Sequence, residues 1–358
     1  MLYQLSHVRK TRTRVPVASS TLTDVAESVK QGSAARKRLR RRRELYGSMP
    51  LVVSRADPVP ESLPVDDRWP RAGHWLSAGA GRHPIDVAVL GIPTFTKSRN
   101  RAGTHSTPAA VRRALHHFTT WSASRHVDLA DLWPWDVGDV DEPDREDGDW
   151  RARTSVATAL AKSRLLIALG GDGSATVPIV HGLGLTTAAL VSFDAQYDLR
   201  EGNGNTSALA MLFDGGLKGE RVAHLGAADW LISRSHADEV RARGLHLYPR
   251  GVLDERGIAA CTTDAITQVG AQKNVHVSFD LSVCDRSIAP ACLDSAPGGI
   301  SAAQLRTAAF TVGLDPRVRS VDIVEVDAAA DAPDYRTVRL AALVVLEVAA
   351  GLALRPRS

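Results

Sequence analysis

The stretch AALVSFDAQYDLREGN, residues 188–203, decides how the rest of the chain is read. Ala188 to Phe193 are apolar apart from one serine, a composition that suits a strand buried on both faces. The run ends at Asp194, and Asp198 follows with Gln196 and Tyr197 between them. Open parallel sheets build their sites at the carboxyl ends of such strands, so the two carboxylates mark a functional edge.

Working outward, five more short apolar runs appear: DVAVLGI (86–92), RLLIALGGD (164–172), RVAHLGA (221–227), NVHVSFD (274–280) and SVDIVEVD (320–327). They alternate with segments of helical composition and show no internal repeat. That pattern predicts an α/β fold with a parallel sheet covered by helices on both faces. SFD occurs twice, and each time a further acid follows, Asp198 after Asp194 and Asp285 after Asp280. With Asp172 in LGGDGS, the expected topology gathers five carboxylates at one edge. Their mutual repulsion, on the order of several kcal/mol for a close pair in a partly buried site, calls for an offsetting positive charge. A hard cation with oxygen ligands is the usual solution. An aspartate at a strand end also caps the next turn, and Asp172 is assigned that role.

The chain has 358 residues, 44% of them hydrophobic, enough for one large α/β domain. The formal charge is +4, yet Arg36 to Arg43 carry seven basic residues in eight, so the remainder sums to −3. The basic character therefore belongs to a segment. Residues 1–80 read as a basic, flexible extension, with one short amphipathic candidate at Leu22, Val25, Ala26 and Val29; residues 81–358 read as the folded domain. The Arg36–Arg43 run lacks interleaved aromatics, so a solvated arm is preferred to a nucleic-acid contact. Cys261, Cys284 and Cys292 have no metal-knuckle spacing and fit free thiols in a reducing, cytoplasmic setting. No apolar run approaches the roughly 18–20 residues of a membrane span, and no secretory h-region opens the chain.

The ordered motifs resemble the ureohydrolase superfamily of arginases, agmatinases and formiminoglutamases. DVAVLGIPTFTKSRNRAGTHSTPAAVRRAL is similar to that family's opening strand and its Arg-x-Gly…Pro-x-x-x-Arg loop, here Arg101, Gly103, Pro108 and Arg112. DVGDVD, ALGGDGS, SFDAQYD, SFDLSVCDRSIAPACLDSAPGGIS and DIVEVDAAAD follow in the family's order, over about residues 85–355. The resemblance implies an arginase-like three-layer α-β-α fold with about eight parallel strands, a trimeric or hexameric assembly, and two manganese ions that activate a hydroxide for attack on a guanidinium or formimino carbon.

This chain departs from that pattern at the implied metal ligands. Gly173 and Gln196 stand where the family has histidines, and Ser282 replaces the second acid of its Asp-x-Asp pair, while Asp194, Asp198 and Asp280 remain. The resemblance then implies at most one ion, Mn²⁺, Mg²⁺ or Ca²⁺, on Asp194, Asp198 and Asp280 with the Gln196 carbonyl, or none. Asn205 replaces the family's loop histidine. Arg286 replaces a proline and offers a guanidinium to balance the acids instead. Glu325 matches the glutamate that pairs with a substrate guanidinium, with Asp331 as a further acid beyond it; its alternative is a partner for an internal arginine. His105 is the candidate replacement base, its alternative a surface histidine. A nucleophilic cysteine is disfavoured because no histidine lies in the local motif.

Two functions are expected from these residues. One is hydrolysis of a C–N bond in a small guanidino, amidino or amino-acid-like molecule, with Asp194, Asp280 and His105 as catalytic groups and Glu325, Asn205 and Asp331 holding substrate. The other is a catalytically inactive relative that binds a small cation or a protein partner.

Overall fold

The computed structural model describes residues 53–54, 66–78, 84–98, 103–202, 204–270 and 274–356. Most of the 1–80 extension, with its amphipathic candidate and the Arg36–Arg43 run, lies outside these residues, as does Arg101.

Eight parallel strands form the sheet: β1 (Ile85–Ile92), β2 (Pro134–Val140), β3 (Ser163–Gly170), β4 (Ala188–Phe193), β5 (Val222–Leu225), β6 (His246–Tyr248), β7 (Asn274–Asp280) and β8 (Val318–Val324). They stand in the order β2-β1-β3-β8-β7-β4-β5-β6, and Val53–Ser54 adds a short antiparallel ninth beside β2. The six apolar runs became β1, β3, β4, β5, β7 and β8. The two strands without such a run, β2 and β6, lie toward the sheet's margins and are only partly buried, so their sequences carry no continuous apolar signal.

The helices are α1 (Ala72–Ala78), α2 (Thr107–Ala114), α3 (Gly148–Lys162), α4 (Thr176–Leu183), α5 (Ala208–Asp214), α6 (Arg234–Ala242), α7 (Arg250–Arg256), α8 (Ile258–Val269), α9 (Ala302–Leu314) and α10 (Arg336–Ala353). Strand alternation sorts them into two layers. Val275, Val277 and Phe279 of β7 face a core shared with α1, α2 and α7 to α10. Leu190 of β4 and Leu90 of β1 face the opposite side, where α3, α4, α5 and α6 pack. Phe193 and Phe279 stack 4.8 Å apart under the first layer, fully buried. Each contributes on the order of 1.5–3 kcal/mol by burial.

Register places the site. β4 and β7 pair residue for residue from Ala188 opposite Asn274 to Phe193 opposite Phe279, and Asp280 lies opposite Val324 of β8. The three central strands therefore end level, and the acids at or just past their ends, Asp194, Asp280 and Glu325, emerge at one edge.

Two motifs are structural in this fold. Arg112 of α2 is buried and bonds Asp136 through Nε and Nη2, both at 2.9 Å, and Asp139 through Nη1 at 2.6 Å. This joins the PxxxR loop to the DVGDVD strand. Beneath the central strands, His276 Nε2 lies 3.1 Å from Asp322 Oδ2, which also accepts the Thr176 hydroxyl at 2.7 Å. The sheet's second face thus carries a buried polar chain where continuous apolar packing was expected.

Candidate functional site

Asp194 leaves β4 with its Oδ1 accepting the Gln196 amide at 2.8 Å and the Ser282 hydroxyl at 2.9 Å. Asp280 leaves β7 with its Oδ1 accepting the Ser282 amide at 2.6 Å. Ser282 Oγ also receives the Ala195 amide at 3.2 Å, so this serine fastens the two acid-bearing loops together. Asp198 follows in the same loop as Asp194 with φ +49°, and Glu325 sits just past β8 with φ +64°. A non-glycine residue in this left-handed region stores strain of about 1–3 kcal/mol and persists where the surroundings impose it.

Glu325 is turned into the site. Its Oε1 accepts the Gly173 amide at 2.7 Å and the Asn205 side-chain amide at 2.9 Å, while its own amide bonds Gly171. The internal arginine weighed as its partner is absent from these contacts; neutral donors hold it. A Cβ at Gly173 would stand 3.5 Å from Glu325 Oε1, 3.6 Å from Asp198 Oδ2 and 3.1 Å from the Asn205 carbonyl. The bare position 173 therefore opens directly onto the acids.

The carboxylates titrate high because they are buried together. Burial, opposed by bonds from Gln196 and Ser282, lifts Asp194 to about 6. Burial and the Asp172 charge lift Glu325 to about 8. Asp198 and Asp280 are raised well above the usual range by burial, then by Asp194 and Glu325. Asp294, which the sequence reading did not single out, adds its charge against Asp194, Asp198 and Glu325. Only its place within the motif segment 278–301 could have signalled it.

Several expected members stand elsewhere. Asp285 is tied into an exposed turn by Ser287 and Gly298, which hold its carboxyl below the usual range. It does not join the cluster. Asp172 caps the turn Gly173–Ala175, as assigned. Arg286, proposed to balance the acids, instead donates to the Cys292 and Leu293 carbonyls at 2.6 and 3.1 Å. Asp331 accepts from Thr337 and Val338 at the start of α10. His105 is exposed and packs against Phe95, 4.5 Å between ring centres. Gln196 turns its carbonyl oxygen to Arg200 at 3.0 Å. Cys284 and Cys292 are buried, and burial raises both thiols.

A cavity opens beneath the acids, lined by Asp194, Asp198, Asp280, Gln196, Thr176 and His224, with leucines of β4 and α5 behind them. Of the positions that the resemblance assigns to metal, Gly173 carries no side chain, Gln196 Oε1 accepts from Arg200, and the Ser282 hydroxyl donates to Asp194. In the observed rotamers, no three His, Cys, Asp or Glu side chains among the described residues are grouped to hold a metal ion. Asp194, Asp198 and Asp280 contribute carboxylate oxygens to the cavity wall.

Comparison with known proteins places this geometry. A sequence model of the arginase family matches residues 85–351. A formimidoylglutamase of Halalkalibacterium halodurans is 29% identical over 299 residues, 80% of this chain and 93% of that one. The crystal structure of formimidoylglutamase from Bacillus subtilis superposes with a TM-score of 0.77 at 24% identity, covering 88% of this chain and all of that one. Trypanosoma cruzi formiminoglutamase with Mn²⁺ superposes at 0.74, also at 24% identity, over 80% of this chain and all of that one. Among the described residues, no helix is long and apolar enough to cross a membrane.

Proposed function

The chain belongs to the arginase family, and from that premise we propose that it takes the cationic end of a small guanidino or amidino molecule into the acid pocket and hydrolyses its C–N bond. The observation that carries this reading is the convergence of Asp194, Asp198, Asp280 and Glu325 at the carboxyl edge, each titrating above its ordinary range, with the Arg286 guanidinium turned away. Buried acids in this state gain most from a ligand that brings positive charge and several N–H donors.

The altered site holds at most one Mn²⁺ or Mg²⁺, on Asp194, Asp198 and Asp280. Such an ion would supply Lewis acidity and acidify a water toward neutral pH. The chain's own contribution is positional. Ser282 fixes the Asp194 and Asp280 loops, and Asn205 fixes Glu325. The cleft that they shape orients the ligand.

A second reading, a binder without turnover, is favoured by Ser282, whose hydroxyl donates to Asp194 where the family resemblance expects a metal-binding acid. One experiment separates the two: urea, ammonia or formamide release from formiminoglutamate, agmatine, arginine and guanidinobutyrate, with metal content measured on the same preparation. Turnover abolished in Asp194→Ala supports the hydrolase. No turnover at any Mn²⁺ level, with ligand binding intact, supports the binder.

A further inference from the structure

Arg306 of α9 and Glu347 of α10 form an ion pair that uses only one oxygen of the carboxylate. Arg306 Nε and Nη2 both donate to Glu347 Oε1, at 2.9 and 2.6 Å, and Nη1 makes no hydrogen bond among the described residues. Glu347 is 8% exposed, and its Oε2 is buried with no hydrogen-bond partner among those residues. Thr120 is 2% exposed, and its hydroxyl oxygen is in the same condition. A guanidinium and a carboxylate in a fork share two bonds over two oxygens, so this arrangement leaves one donor and one acceptor over.

Arg306, Glu347 and Thr120 line one cavity of about 130 Å³, which shares no residue with the cavity beneath the acids. One water needs only ~10–15 Å³, and an apolar cavity of ~150 Å³ admits benzene, so this space suits a small organic body. Leu343 and Leu346 of α10 give it an apolar wall, and Trp121, 47% exposed, adds an aromatic one. Leu343 and Glu347 stand four residues apart on α10, so apolar wall and carboxylate share a helix face. Buried polar atoms left unpaired cost stability, which a matching group in the cavity returns. The ion pair is neutral as a whole. Its complement is a molecule that is also neutral as a whole, with a cationic N–H group for Glu347 Oε2 and Thr120 and an anionic oxygen for Arg306 Nη1.

We propose that this cavity is a second binding site, for a free α-amino acid with an apolar side chain: its ammonium on Glu347 and Thr120, its carboxylate on Arg306, and its side chain against Leu343, Leu346 and Trp121. In an α-amino acid the two charged groups are joined through one carbon, a separation that suits a guanidinium and a carboxylate already in contact. The site goes beyond the guanidino reading of the acid pocket, and neither depends on the other.

The test is calorimetric titration of the full-length chain with L-leucine and L-phenylalanine, each beside the amine that lacks its carboxylate (3-methylbutylamine, phenethylamine) and the acid that lacks its ammonium (4-methylpentanoate, 3-phenylpropanoate). Saturable binding of at least one amino acid, with its amine and its acid each about tenfold or more weaker, is the expected result. Thr120→Val keeps the shape and removes the unpaired hydroxyl, so it should weaken that amino acid without lowering the melting temperature. Glu347→Gln should weaken it about tenfold or more. Asp194→Asn should leave its affinity unchanged. Binding of neither amino acid overturns the proposal, as does an amine or acid that binds as tightly as its amino acid. So does full affinity in both Thr120→Val and Glu347→Gln, or affinity lost in Asp194→Asn. Each of these outcomes leaves the guanidino reading of the acid pocket standing.

Discussion

The Glu325 side chain accepts twice through Oε1, from the Gly173 amide at 2.7 Å and from the Asn205 side-chain amide at 2.9 Å, and this oxygen stands 3.5 Å from where a side chain at 173 would begin. The carboxylate that the family resemblance aims at a substrate is thus drawn toward the space beside a missing histidine.

Placing the family's ligand types together at these positions, as Gly173→His with Gln196→His and Ser282→Asp, is expected to create a two-ion site. Elemental analysis after Mn²⁺ loading should give close to two equivalents for the triple variant and at most one for the native chain. Gly173→His alone should add less metal than the triple variant, because Gln196 and Ser282 still stand at the other two positions.

Ser282→Ala removes the hydroxyl that donates to Asp194 and accepts from Ala195. Both partners are buried, so a loss of about 1–3 kcal/mol is expected. Urea unfolding should show a lower midpoint with an unchanged slope.

Asp331→Ala tests whether that acid serves substrate or fold. Its oxygens bond Thr337 and Val338 at the start of α10, so the expected outcome is a stability loss of about 0.5–2 kcal/mol, as for a lost helix cap. Ligand affinity measured on the same variant should be unchanged.

The pH dependence has a definite sign. Asp194 and Glu325 hold protons to about 6 and about 8 in the folded chain, above their ordinary values of 3.8 and 4.5. Between those limits the folded state binds more protons than the unfolded one, so their contribution to stability falls as pH rises from about 4 to about 8. Urea unfolding at several pH values should show this decline, and Glu325→Gln should flatten its upper part. A bound organic cation should flatten it too.

Much of the sheet was legible because β1, β3, β4, β7 and β8 are buried on both faces and spell that burial as β-branched and leucine runs. β2 and β6 were not, because partial exposure relaxes that requirement. At the site, Asp194, Asp198 and Asp280 were legible from two SFD motifs, and the Asp172 cap from its turn chemistry. Arg286 was misplaced because the direction of a long side chain follows from its loop: the Cys292 and Leu293 carbonyls lie within its reach and capture it. Asp285 was miscounted for the same kind of reason, since a turn absorbs its oxygens. His224 drew no notice because its neighbour in the site comes from a different strand.

The sequence by itself determined the fold class, the family resemblance and the three central acids, since each is written in local apolar runs and short spacings. Tertiary structure alone decided which polar atoms meet: Ser282 with Asp194, Glu325 with Gly173, His224 with Gln196 and Tyr197. Those contacts join residues from about 27 to over 150 positions apart, brought together by strand order and register. No local pattern encodes them, because burial and hydrogen bonding depend on what the folded chain places alongside.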